Sequence, residues 1–218
     1  MKAVIFDLDG TVADTLDDIV KALNTCLESM GERAQPRNAY PLMIGDGLPV
    51  LCRRVLEACS GSPPGTEAIE ELGRRVVAYY AEHLLDNTRL FPGIEGLLSG
   101  LHAAGIPLAV LSNKPDRHTR RIVEALTPPG LFQVVFGHRD GLPRKPDPAG
   151  ALDIARQLGV EPGHCFFIGD SDVDIQTARA AGMRSIGVLW GFRGREELEA
   201  AGAEFIVGEP GEIGKILL

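Results

Sequence analysis

The sequence is poor in cysteine and has no long apolar run. Four of its 218 residues are cysteines, and no two form the close CxxC pair that zinc sites and thiol redox centres prefer. We therefore expect reduced thiols and a cytoplasmic location. No apolar stretch approaches the roughly 18 residues that cross a bilayer. Asp7 and Asp9 interrupt the apolar amino terminus too early for a signal peptide, so we expect no membrane partner.

Basic residues are also scarce. The chain has 22 lysines and arginines against 30 aspartates and glutamates, which gives a net charge of −8. Nucleic-acid binding depends on neutralising phosphates with basic side chains, so this charge disfavours a nucleic acid as partner. Because lysine is rare, any lysine close to a chemical motif is more informative. The lysines are Lys2, Lys21, Lys114, Lys145 and Lys215.

Short apolar runs alternate with helical patterns along most of the chain, which is typical of a parallel sheet with crossover helices. We predict strands at 3–8, 107–112, 132–136, 164–168, 185–189 and 204–207. We predict helices at 94–104, 116–126, 148–158, 173–181, 195–201 and 210–217. The expected fold class is α/β, with a Rossmann-like, doubly wound parallel sheet as its core.

The interval between the first two predicted strands is far longer than one crossover helix requires. Apolar residues recur there at helical spacing, without a convincing strand, as far as Tyr80. The segment LLDNTRLFPG, residues 84–93, is interpreted as a return linker. We therefore expect an α-helical cap domain at 15–85, inserted into an α/β core formed by 1–14 and 86–218.

Acidic residues follow two of the predicted strands. Asp7 and Asp9 end the first strand, and Asp170 follows the strand at 164–168. Ligands of open parallel sheets bind outside the carboxyl ends of the strands, so these carboxylates are expected to meet. Two unit charges about 4 Å apart repel by roughly 4 kcal/mol at an effective dielectric constant near 20. The cluster therefore needs a cation, and oxygen ligands with open positions favour Mg²⁺.

Such a site suits phosphoryl transfer. A carboxylate can attack phosphorus and form an aspartyl-phosphate, which divides one difficult step into two easier ones. Lys145 and the metal would balance charge on the phosphoryl oxygens, and Ser112 with nearby main-chain N–H groups would hold them. Asp9 could donate a proton to the leaving oxygen and later take one from water. No organic cofactor is needed.

The segments DLDGT, Ser112, Lys145 and GDSDVD occur in the order of the four motifs of the haloacid dehalogenase superfamily, and the sequence resembles its phosphatases over nearly the whole chain. The resemblance implies that Asp7 is the nucleophile and Asp9 the acid/base. It implies Mg²⁺ bound by the Asp7 side chain, the Asp9 carbonyl and Asp170. It also implies a type-1 helical cap. The predicted catalytic residues are Asp7, Asp9, Ser112 and Lys145. The predicted substrate-binding residues are Thr11, Ser112, Asn113 and Lys145.

The stretch 187–207 and the glycine-rich loop Ile44–Gly47 resemble bacterial phosphoglycolate phosphatases. We therefore expect a phosphatase acting on a small phosphorylated metabolite, with 2-phosphoglycolate as the leading substrate. A sugar-phosphate phosphatase, an enzyme like β-phosphoglucomutase and a pyrophosphatase remain alternatives within the family. A phospho-accepting signalling receiver is the alternative from another class. The sequence is compatible with a monomer or a homodimer.

Several roles stay open at this level. Asp172 could stabilise a helix N-terminus or support the metal ligands. Asp174 matches a family carboxylate that tends to position the lysine. Lys114 and the loop at 44–47 could face the substrate, and Arg53 or Arg54 could meet a substrate carboxylate. The histidines are interpreted as structural or surface groups.

Overall fold

A six-stranded parallel sheet forms the centre of the molecule, in a computed structural model that describes residues 2–218. The strands are β1 (Ala3–Phe6), β4 (Leu108–Pro115), β5 (Val134–His138), β6 (Cys165–Gly169), β7 (Arg184–Val188) and β8 (Phe205–Val207). Their order in the sheet is β5-β4-β1-β6-β7-β8. Strand order reverses beside β1, so the crevice at its carboxyl end is the expected ligand position.

Both faces of the sheet are covered. Val4 and Phe6 belong to one apolar cluster and Ala3 and Ile5 to a second, as the two-residue period of a strand requires. The covering helices are α4 (Ile94–Ala103), α5 (Asp116–Leu126), α6 (Ala149–Leu158), α7 (Asp172–Ala180), α8 (Arg195–Ala201) and α9 (Pro210–Leu217). This arrangement confirms the predicted doubly wound α/β fold.

Three helices occupy the long interval between β1 and β4. They are α1 (Leu16–Ser29), α2 (Leu48–Ser60) and α3 (Thr66–His83), and a short 3₁₀ turn, Arg37–Ala39, precedes α2. Both α1 and α2 pack against α3. Their apolar side chains continue the cluster that begins on one face of the sheet. The division of the chain into a cap and a core stays a prediction.

Two short strands were missed by the sequence analysis. β2 (Ala13–Asp14) pairs antiparallel with β3 (Arg89–Leu90), which lies within the predicted return linker. Two residues are too few for a periodic pattern. Near this ribbon, the Asp18 carboxylate accepts hydrogen bonds from the main-chain N–H groups of Asn87 and Thr88 at 2.8–3.0 Å. These bonds tie the start of α1 to the returning chain.

Several strand ends differ from the predicted ones by one to three residues, and those of β1 and β4 bear on the site. β1 ends at Phe6 rather than at residue 8 because the chain turns: the Leu8 carbonyl accepts from the N–H groups of Val12 and Ala13 at 3.0 and 2.9 Å. β4 continues to Pro115, so Ser112 lies within the strand rather than at its end. Within residues 2–218, no helix combines the length and apolar character that crossing a bilayer requires.

Candidate active site

The first carboxylate of the site follows β1 directly. Asp7 still donates its main-chain N–H to the Ile168 carbonyl at 2.8 Å, so β6 fixes its position. The chain then turns at Gly10, which has a φ of +83°. A Cβ at Gly10 would lie 2.3 Å from a carboxylate oxygen of Asp170. Only glycine therefore permits this close approach of the β1 loop to the β6 loop.

Lys145 lies between two carboxylates. Its ammonium nitrogen is 2.8 Å from Oδ1 of Asp7 and 2.6 Å from Oδ1 of Asp174. The other oxygen of Asp174 accepts from the Ser171 hydroxyl at 2.7 Å and from the Ser171 N–H at 3.1 Å, which also caps α7. Asp174 is completely buried. It therefore fixes the lysine, as the motif resemblance implied.

Asp170 lies in a tight glycine-lined position at the end of β6. Its Oδ2 accepts from the Phe192 N–H at 2.6 Å, and its Oδ1 lies 3.4 Å from the Thr11 hydroxyl. A Cβ at Gly191 would lie 2.3 Å from the Cβ of Asp170. The Asp170 side chain is therefore held in one orientation by contacts on several sides.

Burial changes the acidity of these groups. The pKa of Asp7 is raised to about 7, mainly by burial. The charge of Lys145 acts to lower this pKa, and the charge of Asp174 contributes to the increase. Burial, and then the charges of Asp174 and Asp7, raise the pKa of Asp170 well above its usual value. Burial alone would lower the pKa of Lys145, but Asp174 and Asp7 outweigh it and raise that pKa. The lysine therefore remains charged, and the acids favour an additional cation.

The acidic cluster fits a divalent metal. One oxygen each from Asp7, Asp170 and Asp174 lie within 4.8 Å of one another. Buried Oδ1 of Asp7 receives no well-oriented hydrogen bond, although Lys145 is close to it. Such an unsatisfied buried oxygen is an available ligand. Both oxygens of Asp174 accept short bonds from Lys145 and Ser171, whereas Oδ1 of Asp170 has, within residues 2–218, only the 3.4 Å contact to Thr11, so Asp7 and Asp170 fit the metal better.

The Asp9 side chain forms an ion pair with a second lysine, Lys114. Its Oδ1 accepts from the Lys114 ammonium at 2.9 Å and from the Thr15 hydroxyl at 2.6 Å. Burial would lower the pKa of Lys114, but Asp9 and Tyr80 outweigh it and raise that pKa. A charged lysine thus holds Asp9 beside the cluster. The contribution of the Asp9 carbonyl to a metal stays a prediction.

The other predicted substrate-binding residues have mixed positions. Ser112 is buried and lines the cavity beside Asp7. The Asn113 amide also lies there, but it donates to the carbonyls of Gly45 and Lys145 at 2.9 and 3.0 Å, and its oxygen accepts from the Lys145 N–H at 2.9 Å. Thr11 is fully buried behind Asp170 and does not face the cavity. Asn113 and Thr11 therefore orient their neighbours.

A cavity of about 80 Å³ is lined by Asp7, Asp9 and Asp170. Its lining is polar where the sheet ends and apolar where the helices α1–α3 close over it. The apolar lining includes Ile19, Leu23, Ile44, Leu48, Leu51 and Val76. The predicted loop at 44–47 does reach this cavity, through Ile44, Gly45 and Gly47.

The arginines near the cavity differ from those expected. Arg53 pairs with Glu57 at 3.5 Å and Arg54 with Asp46 at 2.6 Å, and neither lines the cavity. Arg193 lines it instead. Its guanidinium donates to the carbonyl of Ile44 at 2.7 Å and to that of Pro41. Arg193 therefore holds the loop that precedes α2 against the segment after β7.

The site geometry agrees with the comparisons with known proteins. The sequence profile described as haloacid dehalogenase-like hydrolase matches residues 4–188. The chain belongs to this haloacid dehalogenase-like family. The match includes Asp7, Ser112, Lys145 and Asp170, which the fold brings to one crevice.

Relatives within the family extend along nearly the whole chain. A phosphoglycolate phosphatase of Neisseria meningitidis is 34% identical over 217 residues, covering 98% of this chain and 92% of its own length. The phosphoglycolate phosphatase of Escherichia coli K12 is 31% identical over 222 residues, covering 94% and 88%. A solved candidate phosphoglycolate phosphatase from Lactobacillus delbrueckii subsp. bulgaricus is 35% identical, with a TM-score of 0.94 over 100% of this chain and 99% of that one. This member of the haloacid dehalogenase-like family is thus a phosphatase.

Sequence reasoning missed part of the cavity of this haloacid dehalogenase-like enzyme. Tyr80 was assigned only to the apolar face of a helix, and His118 to the structural histidines, but both line the cavity. Burial, followed by the charge of Lys114, lowers the pKa of His118 to about 4. The rarity of lysine was a usable signal for Lys114. The sequence gives no comparable signal that Tyr80 and His118 line the cavity, because their helices meet β4 only in the folded chain.

Proposed function

We propose that this protein is a Mg²⁺-dependent phosphomonoester hydrolase that acts on a small anionic phosphate ester through an aspartyl-phosphate on Asp7, with 2-phosphoglycolate as its substrate. The observation that carries the proposal is the position of Asp7: it shares Lys145 with Asp174, lies beside Asp170 and lines a small cavity. The phosphoglycolate phosphatases among its relatives support the choice of substrate.

In the first step, an Asp7 oxygen attacks phosphorus and the bond from phosphorus to the ester oxygen breaks. Lys145, held by Asp174, and Ser112 bind the non-bridging phosphoryl oxygens. Mg²⁺, held by the Asp7 and Asp170 carboxylates, would balance the negative charge of the phosphoryl group. Asp9 donates a proton to the departing alkoxide, so that the alcohol leaves neutral.

In the second step, a water molecule attacks phosphorus and the bond from phosphorus to the Asp7 oxygen breaks. Asp9 takes a proton from that water, which returns both aspartates to their starting states. Lys114 and Thr15 orient Asp9 for this exchange through their bonds to its Oδ1. The apolar lining contributed by α1–α3 limits the access of bulk water.

The size of the cavity favours a small ester. About 80 Å³ leaves room for a compact metabolite and does not suit a polymer. A related solved structure, CbbY from Rhodobacter sphaeroides, was determined in complex with phosphate and has a TM-score of 0.78 at 27% identity, over 98% of this chain and 96% of that one. This neighbour supports phosphate as the group bound by the fold.

The test is a panel of phosphate esters at equal concentration, with Mg²⁺ and with EDTA. We expect the highest kcat/KM for 2-phosphoglycolate, and loss of turnover in EDTA. Asp7→Asn should abolish phosphate release. Asp172→Asn is the matched control, because the Asp172 side chain bonds only to Gln176, at 3.0 Å, among the described contacts of residues 2–218. No turnover of phosphoglycolate, sugar phosphates, nucleotides or pyrophosphate would refute the proposal.

A further inference from the structure

Part of the cavity wall consists of polar side chains to which the proposed hydrolysis assigns no ligand. Lys114 of β4, Tyr80 of α3 and His118 of α5 all line the cavity and are at most 9% exposed. The Lys114 ammonium lies 4.7 Å from the centre of the Tyr80 ring. The rings of Tyr80 and His118 meet edge to face at 5.5 Å. The three side chains therefore form one packed group, which we term the lysine–tyrosine wall.

The lysine–tyrosine wall has unused hydrogen-bond donors. An ammonium carries three N–H groups, and that of Lys114 makes one described hydrogen bond, to Asp9 at 2.9 Å. The buried Tyr80 hydroxyl is close enough to accept from that ammonium, but its own O–H has no acceptor among the residues that the structure describes. Buried polar groups are normally paired. Donors left unpaired in the wall of a cavity indicate that an acceptor binds there.

Lys114 is also the cation best placed to receive an anionic group. Arg193 lines the same cavity, but its guanidinium is occupied by the Ile44 carbonyl and by Glu197, at 2.7 and 3.0 Å. Lys145 is committed to Asp7 and Asp174. Among the described residues, Lys114 faces a single carboxylate, that of Asp9. A second partner with one negative charge leaves less uncompensated negative charge beside it than a phosphate dianion would.

We propose that the Lys114 ammonium and the Tyr80 hydroxyl bind the carboxylate of the substrate and thereby select carboxylated phosphate esters over neutral ones. This inference rests on the proposed function, because it assumes that the phosphoryl group occupies the Asp7 end of the same cavity. It assigns specificity to one residue of β4 and one of α3. Substrate choice then depends on the position of α3 relative to β4.

The experiment compares two esters of similar size, 2-phosphoglycolate and 2-hydroxyethyl phosphate, which differ in the carboxylate. Tyr80→Phe keeps the ring beside Lys114 and removes only the hydroxyl. Its loss of kcat/KM should be about tenfold greater for 2-phosphoglycolate than for the neutral ester. For Lys114→Met, the corresponding excess should be about 100-fold, because a charged donor is removed.

Two matched variants control for the loss of a tyrosine hydroxyl and of a lysine ammonium outside the cavity. Tyr79→Phe removes a hydroxyl next to Tyr80 from a ring that stacks on His83 at 4.2 Å. Lys21→Met removes an exposed lysine of α1 that pairs with Asp86 at 2.8 Å. Neither residue lines the cavity. Both variants should keep the wild-type preference for 2-phosphoglycolate.

The outcomes are distinguishable. Equal losses on both esters in Tyr80→Phe and Lys114→Met would overturn the inference and leave the proposed function intact, since Lys114 would then act only by positioning Asp9. A wild-type enzyme that hydrolyses 2-hydroxyethyl phosphate as well as 2-phosphoglycolate would also overturn it. Absence of turnover of every phosphate ester would refute the proposed function itself. If Lys114→Met does not fold, Tyr80→Phe decides alone.

Discussion

Replacing Asp7 with asparagine should stabilise the metal-free protein at neutral and alkaline pH. Burial raises the pKa of Asp7 from 3.8 to about 7 in the folded chain. The folded state therefore binds the proton more tightly than the unfolded state, and stability is lost as the pH rises from about 4 to about 7. A pKa shift of about three units, at about 1.4 kcal/mol per unit, lowers the free energy of unfolding of the wild type by about 4 kcal/mol at pH 8. Asparagine carries no charge and avoids this cost.

The assay is urea unfolding in EDTA at several pH values from 5 to 8.5. At pH 8, the free energy of unfolding of Asp7→Asn should exceed that of the wild type by up to about 4 kcal/mol, and the difference should fall to less than half by pH 5. Adding Mg²⁺ should stabilise the wild type more than Asp7→Asn. Asp172→Asn should show neither effect. If Asp7→Asn is no more stable than wild type at pH 8 in EDTA, the electrostatic account of the cluster is wrong.

Three further substitutions test the supports of the site. Asp174→Asn removes the carboxylate that fixes Lys145 at 2.6 Å, and misplacement of that lysine should lower kcat/KM about 100-fold in steady-state assays. Gly191→Ala places a Cβ 2.3 Å from that of Asp170, and overpacking should reduce the free energy of unfolding by about 1–3 kcal/mol in urea. Arg193→Met removes the guanidinium that binds the Ile44 carbonyl, so hydrogen exchange in residues 41–47 should accelerate.

Each of these substitutions has an outcome that would contradict its rationale. An unchanged kcat/KM in Asp174→Asn would mean that Asp7 alone positions the lysine. Wild-type stability in Gly191→Ala would show that the segment after β7 adapts without cost. Unchanged exchange in Arg193→Met would mean that α2 and its neighbours hold the loop without the arginine. Gly163→Ala is a control for the glycine test, since a Cβ there meets no atom within 4 Å.

Local sequence patterns were sufficient to predict the parallel sheet and the proximity of Asp7 and Asp170 at its edge. The buried run at Ala3–Phe6 is apolar throughout because both faces of β1 are covered, and that pattern is visible in the sequence. The carboxyl ends of β1, β4 and β6 meet by the rules of parallel sheets. The prediction that Asp7 and Asp170 lie together followed from these rules.

Contacts that depend on packing between distant segments were not predictable. The orientation of Asp9 toward Lys114 depends on where β4 ends, and β4 runs three residues beyond the predicted limit. The close approach of Gly191 to Asp170 joins two loops that only the folded sheet brings together. Tyr80 lies at a position that helical spacing alone assigns to an apolar face.

The central claim is that Asp7 carries the phosphoryl group during turnover, and rapid acid quenching tests it most directly. Protein mixed with 2-phosphoglycolate and Mg²⁺ is quenched within the first turnover, digested and mapped by mass spectrometry. The account predicts one phosphoryl group on the peptide that contains Asp7, and none in Asp7→Asn. Phosphate release at the normal rate without that adduct, or an adduct on a different residue, would contradict it.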